Sequence, residues 1–107
     1  MVGLIAFTAA VTQPAKADSF KSSEFLTWKR ETQAFYFRAN VGMASLIAGQ
    51  NDKAQGQCID DWYYADETAS EDYILDVMRK YPDYHPRGLI LAAIQKKCGP
   101  LKYGHDK

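Results

Sequence analysis

Two cysteines stand forty positions apart, at Cys58 and Cys98, and they are the only sulfhydryls in the chain. Cysteine thiolates act as nucleophiles, metal ligands or disulfide partners. A nucleophile needs a base, and the chain offers only His85 and His105, neither in a Cys/His or Ser/His/Asp arrangement with a third member. Two distant cysteines with two histidines also make a poor zinc set. A Cys58–Cys98 disulfide, two buried free thiols and a metal pair are the three readings of these residues. The disulfide closes a loop of about 40 residues and contributes roughly 4 kcal/mol in the chain-entropy model.

Acidic and aromatic residues crowd the segment that follows Cys58. Asp60, Asp61, Asp66, Glu67, Glu71, Asp72 and Asp76 fall in one span with no Lys or Arg. Trp62, Tyr63, Tyr64 and Tyr73 are interleaved. Aromatic anchors inside a rim of one charge suit a protein partner, because the rings bury area and the charge steers encounter. Asp60, Asp61, Trp62, Tyr63, Tyr64, Asp66 and Glu67 are the candidate partner-binding residues. The competing reading puts Trp62 and Tyr63 in the core beneath the cysteines, with the acids solvated or capping a helix. Paired carboxylates such as Asp60-Asp61 can do acid–base work. Adjacent acids without a base or nucleophile nearby are ordinary surface residues, so no catalytic residue is assigned and the chain is read as not an enzyme. No phosphate-binding glycine loop, haem-attachment pattern, metal set or cofactor site is present in the sequence.

The chain has 107 residues, enough for one small domain. Residues 1–17 read as a signal peptide: an apolar run from Val2 to Val11, then Ala15-Lys16-Ala17 as the cleavage pattern. No Lys or Arg precedes the run, which reads as an internal start with the basic region upstream. Residues 18–107 form the single helical domain, and its location is expected to be periplasmic. Losing Lys16 takes 13 basic residues to 12 against 13 acidic. A charge so near neutral gives no general attraction to nucleic acid or, after signal cleavage, to a membrane. A domain this small is marginal on its core alone, and an exported one gains most from a disulfide.

The periodicity is helical throughout, with no alternating strand pattern. Ser22 or Ser23 caps a long helix to about Ala48, with Phe25, Trp28, Thr32, Phe35, Tyr36, Ala39, Met43, Leu46 and Ile47 facing inward. Gly42 in that helix suits a close helix crossing. Gly49 ends it, and residues 50–57 read as a connector. Cys58 to Tyr64 reads as either a helical turn or a loop. Thr68 and Glu71 form a capping box for a helix to about Tyr81, with Ile74, Val77, Met78 and Tyr81 buried. His85 precedes Pro86, which suits a first helical turn. Leu89, Ile90, Ala93 and Ile94 make the stripe of that last helix. Lys96 and Lys97 complement its dipole, and Gly99-Pro100 end it. The tail from Leu101 to Lys107 is expected to fray. The fold class is all-α: a small bundle of three to four helices closed by one disulfide.

The order of these segments resembles a known family. VGMASLIAG over 41–49, Cys58-Ile59, ILDVMRKYP over 74–82 and HPRGLILAAIQKKCG over 85–99 are similar to the periplasmic immunity proteins of the Tai type. Members of that family protect bacteria from type VI secretion amidase effectors that cut peptidoglycan. The chain departs from the family pattern in having Cys58-Ile59-Asp60-Asp61-Trp62 where members often have a proline two residues after the cysteine. Gly99-Pro100 also follows its last cysteine. The resemblance implies a helical fold and a protein partner, an amidase effector; a homodimer is a separate expectation. A second resemblance, through Glu24-Phe25-Leu26 and Val41-Gly42, is to HdeA-type periplasmic acid-stress chaperones. Their first cysteine lies where this chain has Ser22-Ser23.

Overall fold

The computed structural model describes residues 19–101. Among the described residues there are five helices and no strand. They are α1 (Ser22–Phe25), α2 (Arg30–Asn51), α3 (Lys53–Ala65), α4 (Glu67–Lys80) and α5 (Pro86–Cys98). The expected leader over 1–17 and His105 lie outside the described residues. The all-α class is as the periodicity indicates.

The first expected helix is two. Thr27 Oγ1 donates to the Glu24 carbonyl at 2.7 Å, and the Trp28 amide donates to Phe25 at 3.0 Å, closing a tight turn over 26–29. The reason is aromatic packing. The turn folds Phe25 back onto Tyr36 and Phe37, with ring centroids 5.0 and 5.3 Å apart, and brings Trp28 to 4.9 Å from Phe25. Ser22 and Ser23 are not caps; Lys21 holds that position. Their amides instead donate to the carbonyls of Tyr84 and Pro82, each at 2.9 Å, which ties α1 to the α4–α5 loop.

The face that α2 buries differs most from expectation. Gln33, Phe37, Val41, Ser45 and Ala48 point inward. Phe35, Met43, Leu46 and Ile47 are 69, 57, 60 and 47% exposed. Thr32 and Ala39 also face outward, Tyr36 is half-buried, and Trp28, in the turn before α2, packs on Phe25 while 36% exposed. Small residues decide the rotation. A Cβ on Gly56 of α3 would lie 2.7 Å from the Gly49 Cα, so the backbones of α2 and α3 meet there. The two inward polar side chains are satisfied by carbonyls: Gln33 Nε2 donates to Phe25 at 3.0 Å, and Ser45 Oγ to Gly56 at 3.1 Å. Gly49 and Gly56 make this crossing, while a Cβ on Gly42 meets nothing within 4 Å.

Residues 50–57 are not a connector. Asp52 alone joins α2 to α3, ending one helix and capping the next by accepting the Gln55 amide at 3.2 Å. Cys58 to Tyr64 are helical, with Ile59 and Tyr63 buried. The Thr68–Glu71 capping box does not form. Asp66 caps α4, accepting the Ala69 amide at 3.1 Å, and this frees Glu71 to turn inward. Ile74, Leu75 and Met78 are buried, and Tyr81 stands half-exposed at the helix end.

The last helix follows its sequence signals. His85 is the cap, its Nδ1 accepting the Arg87 amide at 3.1 Å, and Pro86 opens the first turn. Leu89, Ile90, Ala93 and Ile94 are buried, and Gly99 leaves the helix at φ 85°. Cys98 is bonded to Cys58, which removes the free-thiol and metal-pair readings. The Gln55 amide lies 3.3, 3.1 and 2.8 Å from the carbonyls of Cys98, Gly99 and Pro100, and Leu101 donates its amide to Gln95 Oε1 at 3.1 Å. The end of α5 is thereby held by α3 both covalently and by hydrogen bonds.

Candidate functional site

The acidic-aromatic segment is divided between core and surface by helical period. Tyr63 is fully buried and its hydroxyl donates to Glu71 Oε2 at 2.6 Å. Arg30 reaches the same carboxylate at 3.4 Å and Asp72 at 3.0 Å. Burial, then the Glu71 hydrogen bond and charge, push the Tyr63 pKa far up, so the phenol stays protonated. A sealed, protonated phenol has no route to a substrate. Tyr63 therefore cannot touch a partner and serves as a core residue.

Trp62 is half-buried, edge-on to Tyr73 at 6.4 Å, and its carbonyl accepts the Ser70 hydroxyl at 3.1 Å. Tyr64 projects outward, half-exposed, with its ring 4.9 Å from that of Tyr63. Asp61 is exposed and accepts from Gln57 at 3.1 Å. Asp66 is an exposed cap. Glu67 pairs with Arg38 through two contacts of 3.3 and 3.4 Å, and Asp76 pairs with Arg79 at 2.6 Å. The span that looked uniformly acidic is thus partly neutralised by Arg30 and Arg38 from α2. Those partners lie about thirty to forty residues upstream, beyond any local reading of charge.

The uncovered side of α2 is the feature sequence reasoning missed. Phe35, Met43, Leu46 and Ile47 recur along one side over about 18 Å of helix. Arg38 lies 6.0 Å over the Phe35 ring at one end. A groove of about 510 Å³ runs between α2 and α3, bounded by Leu46 and Gln50 on one wall and by Lys53, Gln57 and Asp60 on the other. Its floor is glycine and serine, at Gly42, Ser45, Gly49 and Gly56. Asp60, one of the residues proposed from sequence, therefore borders the same groove as the apolar ridge. The available signal was α2's second stripe, Phe37-Val41-Ser45-Ala48, which competes with the more apolar one.

Among the described residues, no group of three or more His, Cys, Asp or Glu is arranged to hold a metal ion, and no helix is long and apolar enough to cross a membrane. No family model, curated protein or solved structure matches the chain.

Proposed function

We propose that the chain is an exported binding protein whose α2 face and α2–α3 groove engage a protein partner. The observation that carries this reading is the alignment of Phe35, Met43, Leu46 and Ile47 on one uncovered side of α2. Large apolar side chains grouped on a surface mark interaction sites, whereas scattered ones do not. Asp60, Asp61 and Tyr64 add a polar, partly acidic flank on α3, as interfaces have around an apolar centre. Following the resemblance, the partner is a peptidoglycan amidase effector, and binding inhibits it in the periplasm.

The test is hydrolysis of purified peptidoglycan by the amidase effectors of the same bacterium, with and without the chain. Stoichiometric inhibition that Leu46→Glu abolishes supports the reading. Hydrolysis at the same rate in the presence of the folded chain overturns it. Sedimentation of the chain alone reads out a second copy on the α2 face.

A chaperone role in acid has one specific support. The charged contacts between α2 and α4, Arg30 with Glu71 and Asp72 and Arg38 with Glu67, all depend on ionised carboxylates. A chaperone role requires that these pairs break and free α4 from α2 in acid. Aggregation of a client enzyme at low pH, unchanged by added chain, excludes this role.

A further inference from the structure

A second groove, of about 750 Å³, lies between α4 and α5 and shares no lining residue with the first. Its apolar lining is Val77 on α4 with Ala92 and Ala93 on α5. Tyr73 and Tyr81 stand at its two ends, one residue more than two helical turns apart. Its charge is one-sided. Lys80 and Lys96 line it and form no ion pair among the described residues. Asp76, the acid in the lining, is held by Arg79 at 2.6 Å. Lys97 stands over the Tyr73 ring at 4.4 Å but outside the groove lining. The whole chain carries 13 basic and 13 acidic residues, so this concentration of cations is local.

We propose that the α4–α5 groove docks an acidic peptide segment of a partner protein, with an apolar side chain seated on Val77, Ala92 and Ala93 and flanking carboxylates on Lys80 and Lys96. This rests on the reading of the chain as a binding protein but uses a face separate from α2. Two features select a peptide over an anionic membrane. Val77 is half-buried and Ala93 buried between the two helices, where a flat bilayer does not reach. The cations sit at the groove itself, and the chain as a whole has no net charge to hold a membrane surface. The dimensions suit one anchoring side chain with its neighbours.

The experiment is a nuclear magnetic resonance titration of the isotopically labelled full chain with the end-blocked peptide Glu-Leu-Glu-Phe-Glu. The controls are Lys-Leu-Lys-Phe-Lys, Glu-Ser-Glu-Ser-Glu and vesicles of phosphatidylglycerol. The proposal expects saturable shifts at the amides of Val77, Ala92 and Ala93 with the first peptide alone. It expects affinity to fall about tenfold in Lys80→Glu/Lys96→Glu and to fall with added salt. Helical circular dichroism verifies that the variant is folded. Leu46→Glu, on the α2 face, leaves this binding unchanged, so failure of the α2 reading and failure of this one are told apart. Absence of shifts at about 1 mM peptide overturns the proposal. So does binding that survives the double charge reversal, or binding to vesicles without binding to the peptide.

Discussion

The Tyr63 hydroxyl lies 2.6 Å from Glu71 Oε2, and both side chains are buried. The pair joins α3 to α4, and Arg30 joins α2 to the same carboxylate. Removing the hydroxyl leaves Glu71 with a weaker share of contacts inside the protein. Tyr63→Phe is expected to cost about 1–3 kcal/mol, measured by urea unfolding at neutral pH. A Tyr63→Phe/Glu71→Leu double variant should recover part of that loss, because no buried carboxylate is then stranded. Equal stability of Tyr63→Phe and the parent chain overturns this account of the pair.

Alkaline pH exposes the same contact. Burial raises the folded-state pKa of Tyr63, and also that of Tyr36, where it outweighs the opposing pull of the Arg87 guanidinium. A raised pKa in the folded state means the unfolded chain loses these protons first. The contribution is complete below the unfolded tyrosine value near 10 and shrinks as pH climbs above it. Unfolding free energy is therefore expected to decline above about pH 10, less steeply in Tyr63→Phe. Absorbance at alkaline pH should show fewer than the seven tyrosines ionising before the fold is lost.

The two glycines of α2's crossing are unlike Gly42. Gly56→Ala places a methyl 2.7 Å from the Gly49 Cα, backbone that cannot swing aside, and should destabilise by about 1–3 kcal/mol. Gly42→Ala meets open space inside a helix and should stabilise by up to about 1 kcal/mol. Thermal melts of the two variants ought to move in opposite directions.

The rotation of α2 is checked by paired substitutions. Phe37→Ala, in the core, should cost about 3–5 kcal/mol. Phe35→Ser, two residues earlier and 69% exposed, should change stability by no more than about 0.5 kcal/mol. The reverse ranking would mean that the other stripe faces inward.

Reduction of the Cys58–Cys98 bond, or Cys58→Ser/Cys98→Ser, frees the end of α5 from α3. The expected loss is about 4 kcal/mol, read from the shift in the urea midpoint at constant slope. Gln55→Ala in the same background should add to that loss, since its amide holds the carbonyls after Cys98.

The helical class, the start and stop of α5 and the pairing of two lone cysteines were legible in the sequence. Those features are local or nearly so: proline and glycine punctuate a helix by their own backbone chemistry, and two sulfurs in one small domain have few alternatives. The capping of α4 was misassigned by two residues, because Asp66 and Thr68 both carry suitable oxygens. Which stripe of α2 faces inward was settled only in three dimensions. Phe35, Met43, Leu46 and Ile47 are more apolar than Gln33 and Ser45, yet they stay outside. The reason is steric and polar. Helices α2 and α3 meet where Gly49 opposes Gly56, only small groups fit there, and carbonyls of Phe25 and Gly56 satisfy the polar side chains that turn inward. Pairing of Arg30 and Arg38 with acids of α4 likewise exists only once the fold brings their side chains together.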